Sequence, residues 1–370
     1  MKYLLLSTYP IDRSRNSGDD LIGKSLIKQL KDIKGQNVKV DTRYITKTNS
    51  TEDLMLDYKA ILAPALKLRE SNGGVAPRYR NEYMEFALQH NIPVYAIGAG
   101  WNHYPGTFSQ SENVKLAEPE IQLFNKLFNK ENAVKSRISC RDIYTENILK
   151  NHHISCFGTT GDPGLFDTDY IGRTPNLPQR INTIAVSLPH NRHNFDKAYE
   201  IALNLKKRYS CQVKLVLHGY RGRLYSRLLQ KWSNTPIEII DASGGAEKLK
   251  FYNDIDLHVG FRLHAHIWFL RTRKPSLLIA EDGRSTGHLA TINGLGYKAA
   301  PKFAIILAEL LPELANKYRL ELHKQPPSDA VYNLLEKEME SGYEVTRNSL
   351  KIVDQLWEEK MKPFLNFIPS

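Results

Sequence analysis

The sequence predicts two doubly wound α/β lobes that face each other across a cleft. The chain has 370 residues, which is long for a single hydrophobic core and suits two. Short apolar runs alternate with helix-length amphipathic stretches, as in parallel sheets that are covered by helices. The alternation is interrupted at residues 157–179, which are rich in Gly, Pro, Asp and Thr, and then begins again. This interruption predicts a crossover between two lobes.

The first predicted lobe occupies residues 1–160. Its strands are expected at residues 3–7, 38–41, 60–62 and 94–97. A helix that begins at Asp19 carries apolar residues at helical spacing, and further helices are expected at residues 80–89, 118–128 and 142–150.

The second predicted lobe occupies residues 181–325, after a crossover at 161–180. Its strands are expected at residues 183–187, 213–217, 237–240, 257–259 and 276–279. Its helices are expected at residues 195–207, 221–232 and 245–252. Charged helices within residues 326–370 are expected to pack back on the lobes. Two such Rossmann-like lobes form a glycosyltransferase-B-like arrangement, in which ligands lie at the carboxyl ends of the strands.

The charge balance favours an anionic partner. The formal net charge is +11, which suits a phosphorylated metabolite, a lipid-linked phosphate or an acidic membrane surface. The sequence has no zinc-finger spacing, no aromatic RNA-binding signature and no dense Lys/Arg helix, so we expect no nucleic acid partner. A basic stretch could instead contact an anionic membrane peripherally, through Arg221, Arg223, Arg227 and Lys231.

The cysteines and the apolar runs indicate a cytoplasmic protein. The three cysteines lack the spacing of a disulfide framework or a zinc site, so we expect a reducing compartment and no metal. No apolar run approaches the roughly 20 residues that cross a bilayer. Any membrane contact is therefore expected to be peripheral, at the inner face of the cell membrane.

The strongest chemical signal is the run Gly-Phe-Arg-Leu-His at residues 260–264, where a predicted strand turns into a helix. The helix N-terminus and the Arg262 guanidinium would favour an anion, and the His264 imidazole could move a proton. A lone His in an apolar setting is usually structural. Burying Arg262 and His264 together without a charged ligand would be costly, so we interpret them as a catalytic pair. We expect His266 to lie on another face.

Glycines and polar residues follow other predicted strands. Asn16, Gly18 and Asp19 could form an anion-binding loop, or an ordinary helix cap in which Asp19 binds backbone amides. Gly98 and Gly100 would let a ligand or the other lobe approach closely, although a tight turn explains them about as well.

Charged residues near strand ends complete the candidate substrate-binding set. Arg141 could hold a carboxylate or phosphate through its fork of donors, or could cap a neighbouring turn together with Asp142. The remaining candidates are Asp162, Ser187, His190, Arg192 and Arg284. For His288, an exposed position on a helix is the preferred interpretation.

Together these segments resemble the polysaccharide pyruvyl transferase family over residues 12–300. The resemblance rests on residues 16–19, 98–100, 141–142, 161–163, 186–187 and 260–264. Its most specific part is Arg-Leu-His-Ala at 262–265, followed by an apolar helix, Lys274-Pro275 and a strand. The resemblance implies transfer of the pyruvyl group of phosphoenolpyruvate to two hydroxyls of one sugar, which gives a cyclic ketal. It implies no metal and no cofactor besides the donor substrate.

The resemblance also implies residue roles. Arg262 and Arg141 would anchor phosphate and carboxylate, Leu263 would line their pocket, and His264 would transfer the proton. The acceptor would belong to a surface polysaccharide or its lipid-linked precursor. The chain departs from the family at two places, because residues 188–191 separate the strand from Arg192, and Arg284 replaces a common Lys.

Two other functions fit a chain of this kind. A nucleotide-sugar glycosyltransferase uses the same fold, and fold alone does not determine function. It would need an acidic residue for the ribose, for which Glu281 and Asp282 are the candidates. A binding protein that has lost turnover is the second alternative, and the retained Arg262 and His264 argue against it.

Overall fold

The fold contains two parallel β-sheets with helices on both faces, as the alternating sequence pattern predicts. The computed structural model describes the chain apart from residues 8, 10–15, 46–50, 52–56, 72–78, 104–105, 130–134, 191–193, 220–229, 233, 299–310 and 312–327. The first sheet has the order β2-β1-β3-β4-β5 and the second has the order β11-β10-β9-β6-β7-β8. All strand pairs are parallel. The predicted pair of Rossmann-like lobes is therefore confirmed.

The strands are short and mostly buried. The first sheet consists of Lys2–Ser7 (β1), Lys39–Tyr44 (β2), Ala60–Pro64 (β3), Val94–Ala99 (β4) and Arg137–Cys140 (β5). The second consists of Thr183–Ser187 (β6), Gln212–Leu217 (β7), Glu238–Asp241 (β8), Leu257–Gly260 (β9), Ser276–Ala280 (β10) and Gly296–Lys298 (β11). Of these, β5 and β11 were not predicted, because their sequences, Arg-Ile-Ser-Cys and Gly-Tyr-Lys, contain no run of adjacent apolar residues.

Helices cover both sheets within the described part of the chain. In the first lobe they are Ser17–Lys34 (α1), Tyr79–Gln89 (α2), Phe108–Asn113 (α3), Glu118–Phe128 (α4) and Ile143–Asn151 (α5). In the second lobe they are Phe195–Tyr209 (α6), Leu263–Arg271 (α7) and Gly283–Ile292 (α8). The predicted helix at 221–232 lies mostly outside the described residues.

One predicted α-helix is instead a 3-10 helix, Ala246–Asp254. Its buried residues are Ala246, Leu249 and Tyr252, three positions apart. A 3-10 helix has three residues per turn, so this spacing places all of them in one line, whereas an α-helix would spread them over about a third of its circumference.

Each sheet has a point at which the strand order reverses direction. In the first sheet this switch point lies between β1 and β3, and in the second it lies between β6 and β9. Loops leave such a point in opposite directions and open a crevice at the carboxyl ends of the strands. The helices that follow β1 and β9, α1 and α7, therefore begin at the two crevices.

The segment after residue 328 joins both lobes. It forms Ser328–Glu340 (α9), Glu344–Leu356 (α10), a π turn at Trp357–Met361 and Lys362–Asn366 (α11). The hydroxyls of Tyr3 and Tyr95 in the first sheet donate to the carbonyls of Pro369 and Phe367, at 2.6 and 2.7 Å. The Ser349 hydroxyl donates to a carbonyl of the second lobe. No described helix combines the length and apolar character that spanning a membrane requires.

Candidate active site

The two switch points meet where α1 approaches α7. Gly18 lies directly against the side chain of His264, because a Cβ on Gly18 would lie only 2.3 Å from the His264 Cγ. The helix N-terminus is capped by Asn16, whose side chain accepts a hydrogen bond from the Gly18 amide at 3.3 Å. The helix starts at Ser17, so the predictions that it begins at Asp19 and that Asp19 serves as its cap were wrong. The partial positive charge of α1 faces the imidazole.

Arg141, Asp162 and His264 form a buried charged group behind this contact. Arg141 Nε lies 3.0 Å from Asp162 Oδ2, and His264 Nε2 lies 3.7 Å from the same oxygen. Arg141 follows β5, and Asp162 caps the 3-10 turn Pro163–Leu165. Among the described residues these three atoms have ionic neighbours but no aligned hydrogen bond. These three polar atoms therefore converge between the lobes and interact mainly through charge.

One of the two glycines predicted as site residues after β4 makes this convergence possible. Gly98 has a φ of +64°, and a Cβ there would lie 2.7 Å from the carbonyl oxygen of Gly161, so it allows the loop that carries Asp162 to approach β4. At Gly100 a Cβ would lie 3.6 Å from the Arg141 guanidinium carbon, which is an ordinary contact.

Asp162 remains charged in this interior. Burial alone would raise the pKa of Asp162, but the charges of Arg141 and His264 outweigh that effect and hold it well below its usual range. A depressed pKa means that the carboxylate stabilises the fold at neutral pH and loses this contribution only as the pH falls through its low folded-state value.

Replacing Asp162 with Asn is expected to lower the free energy of unfolding by about 3 kcal/mol, because Arg141 would stay buried without a counter-charge. Asn keeps the oxygen that accepts the Gly164 amide at 2.7 Å, so the capped turn is preserved. Denaturant titration at pH 7 measures the difference. The matched control is Asp169→Asn, which removes an exposed ion pair to Lys28 and should change stability by less than about 1 kcal/mol. Equal effects of the two substitutions would contradict the prediction.

Arg262 is held in place through its backbone and its side chain. Its amide donates to the Ser187 hydroxyl at 3.0 Å, and its Nε donates to the Leu188 carbonyl at 2.9 Å. One terminal nitrogen lies 2.6 Å from His190 Nδ1. Ser187 also contacts His258 Nε2 at 2.8 Å and is fully buried, so it lies behind Arg262 instead of facing the pocket.

A narrow pocket opens in front of Arg262 and His264. It is lined by Asn16, His190, His218, Phe261, Arg262, Leu263, His264, Glu281, Asp282, Arg284 and Ser285. Six of these residues were predicted from the sequence as site residues: Asn16, His190, Arg262, Leu263, His264 and Arg284. Arg141, Asp162, Gly98, Gly100 and Ser187 lie behind the pocket, Asp19 lies in the first turn of α1, and Arg192 lies outside the described residues.

Two carboxyl groups line this otherwise basic pocket. Burial raises the pKa of Glu281 to about 7, so near neutral pH a substantial fraction of this group is uncharged. Asp282 is ionised, because the Arg284 guanidinium beside it offsets burial and lowers its pKa. The shortest contact in that pair is 2.5 Å. Neither carboxyl group therefore presents a full, unpaired negative charge to an anionic ligand: Glu281 is partly protonated, and Asp282 is paired with Arg284.

Two histidines differ from the sequence-based expectation. His218 lines the pocket but was not predicted, although its place directly after the apolar run of β7 is the signal that could have revealed it. His288 was expected to be exposed and is only 1% exposed. Its helix packs against the first lobe, where a Cβ on Gly287 would lie 2.6 Å from the Asp142 Cγ.

One protein family matches the part of the chain that contains most of the site residues. A model described as polysaccharide pyruvyl transferase matches residues 16–283. An S. aureus MnaA–UDP structure is similar at 12% identity, with 92% of this chain and 97% of that chain covered and a TM-score of 0.48. UDP-GlcNAc 2-epimerase from Neisseria meningitidis, bound to UDP-GlcNAc, gives 11% identity, 92% and 100% coverage and a TM-score of 0.47. No curated protein matches the sequence.

Proposed function

Because the chain belongs to the polysaccharide pyruvyl transferase family, we propose that it transfers the pyruvyl group of phosphoenolpyruvate to two hydroxyls of one sugar. The product is a cyclic ketal, and inorganic phosphate leaves. The acceptor sugar belongs to a surface polysaccharide or its lipid-linked precursor. The reaction needs no cofactor besides the donor substrate.

One observation carries this proposal: the Arg262 guanidinium and the His264 imidazole line the same pocket, with Arg141 and Asp162 directly behind it. Phosphoenolpyruvate is a small donor with a phosphate and a carboxylate, and each suits a guanidinium. The N-terminus of α1 adds partial positive charge at the same place.

The chemistry requires an acid next to an anion-binding site. In the proposed mechanism His264 donates a proton to the methylene carbon of phosphoenolpyruvate, which becomes a methyl group. Positive charge then develops on the neighbouring carbon, and the first sugar hydroxyl forms a bond there. The second hydroxyl displaces phosphate; one of the two hydroxyl protons returns to His264 and the other leaves with the phosphate. Arg262 holds the donor and stabilises the departing phosphate, and Arg141 adds positive charge from behind the pocket.

Location and partners follow from the charge of the chain and the proposed acceptor. We propose that the enzyme acts in the cytoplasm, where phosphoenolpyruvate is available to it. A lipid-linked acceptor would bring it to the inner face of the cell membrane, and its net charge of +11 favours contact with anionic lipids.

Two measurements test the proposed function. Phosphoenolpyruvate should raise the melting temperature of the protein, whereas UDP and UDP-sugars should not. With a panel of galactosides and N-acetylmannosamine glycosides, phosphoenolpyruvate should release phosphate only when a suitable acceptor is present. Stabilisation by UDP-sugars alone would favour a glycosyltransferase instead. Binding of phosphoenolpyruvate without phosphate release from any acceptor would favour a protein that has lost turnover.

A further inference from the structure

A second cavity lies in the first lobe, at the amino end of β5. It has a volume of about 360 Å³ and is open to solvent. Lys135 and Arg137 line it at the start of the strand, and Cys156 lines it from the neighbouring segment. The Phe157 amide of that segment donates to the Ile138 carbonyl of β5 at 2.8 Å. The cavity therefore combines a cysteine with two positive charges, and it shares no residue with the active-site pocket.

Cys156 contacts a second cysteine, Cys140, at the carboxyl end of β5. Cys140 is fully buried, whereas Cys156 is partly exposed and packs against the apolar cluster that contains Cys140. The two thiols share a hydrogen bond. Its direction follows from their different access to solvent. A charged sulfur is least stable where burial is complete, so Cys140 keeps its proton and donates, and the Cys156 sulfur accepts.

The surroundings of Cys156 favour its thiolate. The hydrogen bond from Cys140 lowers the pKa of Cys156 to about 7, although burial acts in the opposite direction. The Gly158 amide and the charge of Lys150 lower this pKa further, whereas the charge of Glu146 raises it. Burial raises the pKa of Cys140 well above its usual range. Near pH 7, about half of Cys156 is therefore thiolate, which is the form that attacks disulfides.

We propose that Cys156, activated by Cys140, is a site of reversible modification by an anionic low-molecular-weight disulfide that enters this cavity. The Cys156 thiolate forms a bond to one sulfur of the disulfide, and the original S–S bond breaks. The other half leaves as a thiolate and takes up a proton from solvent. A free thiol reverses the exchange. Lys135 and Arg137 attract the negative charge of the incoming disulfide.

The other two cysteines of the chain provide internal controls. Cys211 is 8% exposed, and burial raises its pKa. Cys140 has no exposed surface. A thiol that stays protonated and has little access to solvent reacts slowly with a disulfide. Cys156 is therefore the cysteine that should react in the folded protein.

Incubation of the whole native protein with oxidised glutathione at pH 7 tests the proposal. Peptide mapping by mass spectrometry should find the glutathionyl group on Cys156 and should find Cys140 and Cys211 unmodified. A reducing thiol should remove the group, and Cys156→Ser should abolish its addition. An unmodified Cys156, or equal modification of Cys156 and Cys211, would overturn the proposal. The outcome does not depend on the reaction catalysed at His264.

The pH dependence of alkylation by iodoacetamide tests the role of Cys140. In the unmodified protein the rate at Cys156 should reach half its maximum near pH 7. Cys140→Ala removes the donor, so the midpoint should move to about 8.5, the value of an unperturbed thiol. Cys140→Ser keeps a donor and should retain most of the shift. An unchanged midpoint in Cys140→Ala, with a normal melting temperature, would contradict activation by Cys140.

The charge of the cavity is tested by comparing two disulfides. Lys135→Ala should slow the reaction with oxidised glutathione about two- to fivefold at low ionic strength, the usual effect of losing one exposed charge pair. It should leave the rate with a neutral dipyridyl disulfide unchanged. Lys126→Ala removes the same charge from α4 outside the cavity and is the matched control. Equal rates with glutathione in both variants would refute selection of an anionic disulfide by the cavity.

Discussion

Replacing His264 with Ala is expected to lower kcat by about 10²- to 10⁴-fold, the usual contribution of a positioned general acid. The Kd for phosphoenolpyruvate should stay close to its original value, because Arg262, which lines the pocket, carries donor binding in the proposed mechanism. Phosphate release under saturating donor gives kcat, and calorimetry gives the Kd. The contrast between the two quantities identifies a group that acts in the transition state more than in binding.

The matched control for His264 is its neighbour His266. Both are buried on α7, but the His266 Nδ1 contacts the Ser276 hydroxyl at 2.7 Å and its ring stacks edge-on against His288. His266→Asn can preserve the contact with Ser276 and should leave kcat near its original value. If His264→Ala keeps kcat within about tenfold of the unmodified enzyme, proton transfer by His264 is ruled out.

Replacing Gly18 with Ala is expected to abolish most turnover although it adds a single methyl group. The new Cβ would lie 2.3 Å from the His264 Cγ and 2.7 Å from its Cβ, so the imidazole or the start of α1 must move. The atoms in the way lie close to the backbone of α7, and a small rotation at the end of a side chain cannot relieve the contact. Displacement of a catalytic group by about 1 Å can cost about 10²-fold in rate.

Gly23 provides the control for Gly18 on the same helix. The nearest atom to a Cβ there is Leu5 Cδ2 at 3.7 Å, an ordinary contact, so Gly23→Ala should keep its activity. It should also stabilise the helix by about 0.5–1 kcal/mol. The Gly18→Ala, His264→Gly double variant should be no slower than His264→Gly alone, because both the clashing ring and the clashing Cβ are gone. A further loss in the double variant would show that Gly18 acts through something other than His264.

The parts of this protein that could be predicted from its sequence depend on local pattern. The apolar runs of β1, β4 and β6 identify buried strands, and the residues that follow β9 include the proposed catalytic pair. In contrast, β5 is recognisable mainly through its pairing with β4, where Ile138 lies opposite Ala96. Such a pairing joins distant residues, and the sequence of β5, Arg-Ile-Ser-Cys, contains no apolar run of its own.

The contacts between the lobes could not be predicted in the same way. Arg141 was expected to bind substrate directly or to cap a turn, and the structure places its Nε beside the carboxylate of Asp162. The burial of His288 likewise depends on packing between α8 and the first lobe. The sequence indicates which residues lie at strand ends. Which of those residues contact each other depends on how the two lobes pack together at their switch points.

The segment that joins both lobes also bears on how the protein folds during synthesis. Tyr3, Tyr95, Phe364, Leu365 and Ile368 belong to one apolar cluster, and the two tyrosine hydroxyls find their acceptors at residues 367 and 369. Domains generally fold as they emerge from the ribosome, the first part of the chain before the last. Here the first sheet would emerge with part of its apolar surface uncovered and two phenol groups unpaired. Its final packing must wait for residues that are translated after the entire second lobe.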